Sequence, residues 1–330
     1  MKSLCNILLI GVTALAGRAQ AQQAMPLRLV QTIPLPNVEG RIDHMAVDVK
    51  GQRLFIAALG NNTIEVLDLR AGKRIRTITG LREPQGIGFV PELNRIFVAN
   101  SKNGACDIFD GSSFQVIKTT KFSDDADNVR YDAAARRVYV GYGGGGLGVI
   151  DATNSDQLGS VKLDGHPESF QLEKSGRRIF VNIPASQEVA VVDRGKRVVT
   201  TVWPISAAKG NFPMALDEDH HRLFVGARKP AKLLVFNTES GKLITSMDSP
   251  GDADDMFYDE TRKRIYISGG EGSIGIVQDQ GADHYIILTK ITTASGARTS
   301  FYAPEFNRLY LAVPHRGGQN AELRVYETEP

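Results

Sequence analysis

The stretch Arg95-Ile96-Phe97-Val98-Ala99 decides the fold, because the same pattern occurs six more times along the chain. In each copy an arginine precedes an aliphatic, an aromatic and a second aliphatic residue, a composition typical of a buried β-strand. The other copies begin at Arg53, Arg137, Arg178, Arg222, Arg264 and Arg308, at intervals of 41 to 44 residues. Seven evenly spaced copies predict a repeat architecture rather than unrelated domains.

Further strand signals keep a constant distance from each repeated arginine. About ten residues before it a short apolar strand begins, as in His44-Met45-Ala46-Val47-Asp48. About fifteen residues after it an alternating strand ends in a polar residue, as in Val66-Leu67-Asp68, and a turn and a fourth β-rich stretch follow. No segment shows a sustained 3.6-residue apolar period, so we expect few helices.

Four strands in 41 to 44 residues match one blade of a β-propeller. We therefore predict an all-β, seven-bladed propeller in a single domain over residues 22–330. The blades are expected near residues 41–81, 82–122, 123–163, 164–206, 207–250, 251–292 and 293–330. The last repeat offers only three strands, so we expect residues 27–33 to supply its fourth and close the ring, which removes an exposed sheet edge.

The first residues are typical of a secretory signal peptide rather than of the fold. Lys2 precedes a short apolar run from Leu4 to Ala16, and Ala19-Gln20-Ala21 fits a small-x-small cleavage site. We predict cleavage after Ala21 and export to the bacterial periplasm or beyond; an uncleaved anchor is the alternative. No later segment is a better transmembrane candidate.

Charge and cysteine content limit the possible partners. The chain has 39 Lys and Arg residues and 37 Asp and Glu residues, and cleavage removes Lys2 and Arg18 but no acidic residue. The exported chain would then be neutral, so we expect no nucleic-acid binding. Cys106 would be its one cysteine, which excludes an internal disulfide and suits a small buried apolar residue. We expect a monomer.

The repeats resemble the YVTN-type β-propeller repeats of bacterial secreted and surface proteins over essentially the whole exported chain. Phe97-Val98-Ala99-Asn100 and Ile64-Glu65-Val66-Leu67-Asp68 are similar to that family's signature strands, the first with Phe in place of the usual Tyr. The chain departs from WD40 propellers, because its one tryptophan, Trp203, precedes Pro204. The resemblance implies the fold and export, and little about activity.

The start of each innermost strand is the expected position of a functional site, because these positions surround one mouth of the channel. Ten and nine residues before the repeated arginines, the candidates that face this mouth are Asp43, His44, Gln85, Asp127, Asn128, Glu168, Asp254, Asp255 and Arg298. Neighbouring loops add Asp124, Asp125, His166 and Asp252. Phe212 and Pro213 interrupt the polar ring in the fifth repeat.

Clustered carboxylates favour a hard cation such as Ca²⁺ or Mg²⁺, with Asp43, Asp127, Glu168 and Asp254 as candidate ligands. His44 or His166 would instead admit a transition metal or a general base. Polar residues around a water-filled channel without any ligand remain the simpler interpretation.

No catalytic motif is present, so we predict an exported binding or scaffold protein that presents its loops and polar channel mouth to a partner or small ligand. The alternative is a metal-assisted hydrolase, of lactonase type, or a lyase, with its site in the same mouth.

Overall fold

The computed structural model describes residues 25–330, in which the regular elements are β-strands and three short 3₁₀ turns. Twenty-eight strands form seven four-stranded antiparallel sheets. This arrangement confirms the predicted all-β propeller of seven blades. The predicted signal peptide, residues 1–21, lies outside the described residues.

The strands follow one another through the blades in chain order. The first is β1 (Leu27–Pro34). Blade one contains β2 (Met45–Asp48), β3 (Arg53–Ala58), β4 (Thr63–Asp68) and β5 (Lys73–Ile78). Blade two contains β6 (Pro84–Val90), β7 (Arg95–Asn100), β8 (Ala105–Asp110) and β9 (Val116–Lys121). Blade three contains β10 (Ala126–Asp132), β11 (Arg137–Tyr142), β12 (Gly146–Asp151) and β13 (Gln157–Lys162).

The remaining blades repeat the same order. Blade four contains β14 (Phe170–Leu172), β15 (Arg178–Ile183), β16 (Glu188–Asp193) and β17 (Val198–Pro204). Blade five contains β18 (Lys209–Asp217), β19 (Arg222–Lys229), β20 (Ala231–Asn237) and β21 (Leu243–Asp248). Blade six contains β22 (Ala253–Asp259), β23 (Arg264–Gly269), β24 (Ser273–Asp279) and β25 (Tyr285–Thr292). Blade seven contains β26 (Ser300–Ala303), β27 (Arg308–Val313) and β28 (Glu322–Thr328), with β1 as its fourth strand. The 3₁₀ turns are Leu59–Asn61, Ser101–Asn103 and Pro304–Phe306.

The hydrophobic core lies between the blades. Buried apolar residues form seven clusters, and each cluster joins two neighbouring blades. For example, Phe55 and Ile64 of blade one pack with Ile87 and Ile96 of blade two. Each sheet therefore buries both faces against its neighbours, and the stability of any blade depends on the blades beside it.

The ring is closed where the two ends of the described chain meet. β1 pairs antiparallel with β28, from Leu27 opposite Thr328 to Pro34 opposite Glu322. Ile33 is 1% exposed and packs in the cluster that joins blades seven and one. The N-terminal strand therefore completes the last blade, as predicted.

The repeated arginine begins the second strand in all seven blades, and in five blades it also bonds to the next blade. Arg53 is typical. Its guanidinium pairs with Asp48 at 2.7 Å, donates to Asn94 at 3.0 Å and donates to the carbonyl of Gly111 in blade two. The arginine thus links its own first turn to the neighbouring blade, which explains why it recurs with the repeat.

Two other features bear on the sequence predictions. Cys106 is fully buried and unpaired with another cysteine. Within residues 25–330 no helix is long and apolar enough to cross a bilayer.

Candidate functional site

β-Bulges shape the channel mouth. In blades two, three, five and six the pairing of the first strand with the second contains one extra residue near the start of the first strand. A bulge bends the strand and redirects its side chains, so consecutive residues no longer alternate between faces. Asp127 and Asn128 fall in the bulge of blade three, and both side chains are buried beside His44. The bulges therefore bring more side chains into the mouth than regular strands would.

The backbone of Asp127 in blade three packs closely against Gly86 in blade two. A Cβ atom added to Gly86 would lie 2.2 Å from the carbonyl oxygen of Asp127. Only glycine therefore allows the first strand of blade two to approach blade three this closely.

His44 lies at the centre of the mouth cluster. Its Nδ1 is 3.2 Å from Oδ1 of Asp255. Its Nε2 is 3.7 Å from Oδ1 of Asp43, 3.9 Å from Oδ1 of Asp127 and 3.3 Å from Nδ2 of Asn128. Asp255 is itself held by the backbone N–H of Ser300, which donates to Oδ2 at 2.8 Å. Residues from blades one, three and six therefore converge on one imidazole, and blade seven holds Asp255 in place.

The carboxylates around His44 keep it protonated. Burial alone would lower its pKa, but the negative charges of Asp255 and Asp43 raise the pKa to about 10. At neutral pH both ring nitrogens then carry protons and need acceptors. Asp255 accepts from Nδ1. Nδ2 of Asn128 faces Nε2, so turning this amide over would place its Oδ1, which has no partner, where it accepts from Nε2. A protonated His44 cannot act as a general base.

We expect a nuclear magnetic resonance titration to show this protonation directly. The His44 ring nitrogens should keep the chemical shifts of an imidazolium from pH 6 to 8, because their pKa of about 10 lies above this range. A His44 signal that titrates between pH 6 and 7 would show that the surrounding carboxylates do not hold the proton.

Two arginines neutralise Asp254. Arg228 Nη2 is 2.6 Å from Oδ1 of Asp254, and Arg298 Nε is 2.9 Å from Oδ2. Although burial opposes it, the positive charges of Arg298 and Arg228 keep the pKa of Asp254 below its ordinary value. Arg228 also lies over the ring of Phe212, 3.6 Å from the centroid, so the residue that interrupts the predicted polar ring supports this arginine. The carboxylate of Asp254 is therefore already paired with two arginines of the protein itself.

Asp43 has a different environment. Its Oδ2 pairs with Arg41 at 2.5 Å, while its Oδ1 is buried without a hydrogen-bond partner. Burial raises its pKa to about 6, in spite of the nearby charges of His44 and Arg41. One oxygen of this carboxylate remains free to accept a proton or a ligand.

Asp127, His166 and Glu168 form the group best placed to hold a metal ion. One potential ligand atom from each lies within 4.8 Å of the others. Nδ1–H of His166 donates to the carbonyl of Gly143 at 2.8 Å, which leaves Nε2 directed toward Oδ2 of Asp127 at 3.8 Å. A histidine ligand is commonly oriented in this way by a backbone carbonyl. The glycine-rich loop at residues 143–146 therefore orients the imidazole.

Protons would compete with a metal ion for the ligand atoms of His166 and Glu168. Burial, together with the carboxylates of Asp127 and Asp254, raises the pKa of Glu168 to about 8. Burial would lower the pKa of His166, but its bond to Asp127 and the charge of Glu168 raise it to about 9. A cation that binds here at neutral pH must therefore displace protons.

The structure separates the nine predicted mouth residues into three groups. The imidazole of His44 is surrounded by Asp43, Asn128 and Asp255. Asp127 connects this first group to the second, which contains Glu168 and His166. Asp254 and Arg298 form an ion pair, the third group, and Gln85 stands apart from all three and donates to Asp125 at 3.2 Å. Of the four carboxylates predicted to share an ion, Asp127 and Glu168 belong, with His166, to the group whose ligand atoms lie within 4.8 Å of one another, and a site shared with Asp43 and Asp254 stays a prediction.

Sequence reasoning missed two arginines of this region, Arg41 and Arg130. Arg41 lies two residues before Asp43 and pairs with it, a proximity that the sequence itself could have indicated. Arg130 lies in the middle of β10 and lines the channel below the mouth. The bulge before it shifts the alternation of side chains, so its direction could not be read from the sequence.

Comparisons with known proteins bear on the fold. No protein-family model matches the chain, and no curated protein matches it in sequence. A solved structure of Kuenenia stuttgartiensis hydrazine synthase matches with a TM-score of 0.72 and 16% identity, over 82% of this chain and 91% of that chain. A chain of the mitotic checkpoint complex matches with a TM-score of 0.77 and 11% identity, over 99% of both chains. The chain is a seven-bladed β-propeller. Identities this low show the fold alone, and the fold fits a binding or scaffold role in general.

Proposed function

We propose that this chain is an exported propeller of the YVTN type that binds a divalent transition-metal ion at its channel mouth and presents that face to a small ligand or partner. Asp127, His166 and Glu168 are the metal ligands. The observation that carries the proposal is the convergence of their ligand atoms within 4.8 Å, with Nδ1–H of His166 bound to the carbonyl of Gly143 so that Nε2 faces Asp127.

The donor set indicates which metals are suitable. Ca²⁺ and Mg²⁺ prefer oxygen ligands alone, whereas one imidazole nitrogen with two carboxylates suits Zn²⁺, Mn²⁺ or Fe²⁺. Three protein ligands also leave a coordination position for water or for part of a ligand. For this reason we favour a transition metal over the hard cation suggested by the carboxylates in the sequence.

A buried acceptor without a partner supports a cation at this place. Asp127 is 6% exposed, and its Oδ1 makes no hydrogen bond within residues 25–330; Oδ1 lies 3.9 Å from Nε2 of His44, whereas Oδ2 faces Nε2 of His166 at 3.8 Å. Leaving a buried carboxylate oxygen unpaired costs free energy that a bound cation would recover.

Metal-assisted hydrolysis or elimination is the alternative function for the same site. The coordination position that three protein ligands leave open on the metal ion favours this alternative. The enzymatic function also needs a group that accepts a proton at neutral pH. His44 already holds a proton, so Asp43, whose Oδ1 has no hydrogen-bond partner, is the candidate base. The sequence carries no catalytic motif around Asp43, and we therefore favour binding over catalysis.

Calorimetric titration of the purified, EDTA-treated protein tests the metal site. We expect Zn²⁺ or Mn²⁺ to bind with a 1:1 stoichiometry and more tightly than Ca²⁺ or Mg²⁺, and the affinity to rise from pH 6.5 to 8 as Glu168 and His166 release protons. Asp127→Asn, His166→Gln and Glu168→Gln should each weaken binding by about 100-fold or more, since even second-shell changes cost about 10- to 100-fold.

Asp248→Asn is the matched control for these variants. It removes one carboxylate from a side chain that is 83% exposed on an outer strand, so metal affinity should stay within about twofold. Equal binding by the control and the three ligand variants, or no saturable binding of any of the four ions, would overturn the proposed site. Lactone hydrolysis that appears only in the metal-loaded protein would favour the enzymatic alternative.

Export and assembly are separate parts of the proposal. They are supported by the signal-peptide pattern of residues 1–21 and by the absence of an excess of either charge after Ala21. When the full chain is expressed in a bacterium, intact mass spectrometry of the periplasmic fraction should show a chain that begins at Gln22. Light scattering should give the mass of a monomer. A chain that is found in the membrane fraction and still contains residues 1–21 would instead indicate an uncleaved N-terminal anchor.

A further inference from the structure

A cavity of about 290 Å³ lies in the central channel below the mouth, and all seven blades contribute to its wall. At one end it meets His44 and Asp255 of the mouth cluster. Much of the wall is aromatic or contains sulfur: Phe89, Tyr131, Met214, Met256, Phe257 and Phe301. A concave, largely apolar space with few polar groups is the usual form of a small-molecule site.

Arg130 is a charged group in this wall that the protein leaves unpaired. No carboxylate of residues 25–330 lies within ion-pair distance of its guanidinium, and its hydrogen bond runs from Nη1 to the carbonyl of its own neighbour Val129, at 2.9 Å. By contrast, the arginines of the mouth, Arg41, Arg228 and Arg298, all pair with aspartates. A guanidinium has five N–H donors, so most of the donors of Arg130 remain available.

The surroundings of Arg130 make this lack of a partner costly. Its Cζ lies 5.6 Å from the centroid of the Phe170 ring, and burial lowers its pKa because the charged form loses hydration. The negative charge that acts on Arg130 most strongly, that of Asp255, is already engaged with protonated His44. An anion that entered the cavity would therefore meet a half-buried positive charge that has no carboxylate at ion-pair distance.

We propose that this cavity binds a small organic acid, with its carboxylate paired to the guanidinium of Arg130 and its apolar body packed against the aromatic and methionine side chains. The planar fork of an arginine matches the two oxygens of a carboxylate. The apolar walls distinguish such a ligand from inorganic phosphate, which would leave most of its oxygens without partners here.

A second cavity adjoins the first on the side away from the metal site. This second cavity, of about 300 Å³, shares Gln171, Met256 and Phe257 with the first and extends to Lys174, in the turn between the first and second strands of blade four. That turn lies at the opposite end of the blade from the mouth. The inference therefore does not depend on a metal ion, and the two proposals can fail separately.

Calorimetry with 3-phenylpropionate as the probe tests this inference on the full chain, purified and treated with EDTA so that no metal contributes. Its amide, 3-phenylpropanamide, has nearly the same shape and no charge. We expect the acid to bind at least about 30-fold more tightly than the amide, and Arg130→Gln to remove that preference, because losing one partner of a buried charge pair costs about this much or more. Arg130→Lys should retain part of the preference for the acid over the amide. Inorganic phosphate should bind more weakly than 3-phenylpropionate.

Arg76→Gln is the control, because it removes an arginine charge from an exposed position on the outer strand β5, and it should change the affinity less than about twofold. Since Arg130 supports no ion pair, the melting temperature of Arg130→Gln should equal or exceed that of the unchanged protein. The proposal is wrong if acid and amide bind equally to the unchanged protein, if neither binds, or if Arg130→Gln keeps the preference. The comparison of acid with amide needs no variant, so it decides the matter even if Arg130→Gln destabilises the fold.

Discussion

Deletion of residues 27–34 should lower the free energy of unfolding by more than about 5 kcal/mol. These residues form β1, which pairs with β28 along its length and completes blade seven. The deletion removes the side chains of Leu27 and Ile33, which are 3% and 1% exposed, and burial of each contributes about 1.5 to 3 kcal/mol. It also exposes the edge of β28, whose free N–H and C=O groups then favour aggregation.

Calorimetry and size-exclusion chromatography would measure this loss. We expect the truncated chain to melt at a much lower temperature and to form aggregates. Val30→Ser, at a position of β1 that is 37% exposed, serves as the control and should change stability by less than about 0.5 kcal/mol. A truncated monomer that melts within a few degrees of the intact protein would show that β1 does not hold the ring closed.

Arg53→Ala should cost about 3 kcal/mol of stability, although it leaves the hydrophobic core intact. The substitution leaves the carboxylate of Asp48, which is 5% exposed, without its cation. It also removes the donors to Asn94 and to the carbonyl of Gly111 in the next blade. Removing one member of a buried ion pair commonly costs about 3 to 5 kcal/mol, because the other charge stays buried.

Urea unfolding of two further variants would separate the contribution of the planar guanidinium of Arg53 from that of its positive charge. Arg53→Lys keeps the charge but has no planar fork, so we expect it to lose about half as much stability as Arg53→Ala. Arg76→Ala removes an exposed arginine of β5 and should change stability by less than about 0.5 kcal/mol. Equal losses for Arg53→Ala and Arg76→Ala would contradict a role of the repeated arginine in joining blades.

The fold could be predicted because each repeat carries the same local signals. The arginine that marks the repeat begins the second strand of every blade, and the predicted closing strand at residues 27–33 is found as Leu27–Pro34. Both features depend on strand periodicity and on an unpaired edge, which are visible in the sequence. The function of the arginine was not visible, because its partner in the next blade, such as Gly111 for Arg53, lies about 58 residues away.

The site was predictable only in part. The sequence placed Asp43, His44 and Asp127 near one mouth, but it suggested a vestibule dominated by carboxylates. The structure shows cations opposite most of these acids, and Arg228 reaches Asp254 from the second strand of the preceding blade. Bulges redirect individual side chains, and the pairing of charges across blades depends on the three-dimensional arrangement, so neither follows from spacing along the chain.

Anomalous diffraction from crystals of the protein would show directly whether the channel mouth binds a metal ion. Crystals of the protein soaked with Zn²⁺ would be measured above and below the zinc absorption edge. We expect one strong anomalous peak between Asp127, His166 and Glu168, about 2.0 to 2.2 Å from Nε2 of His166 and from a carboxylate oxygen of each acid. No peak at the mouth, or peaks only at surface histidines such as His220 and His221, would contradict the account.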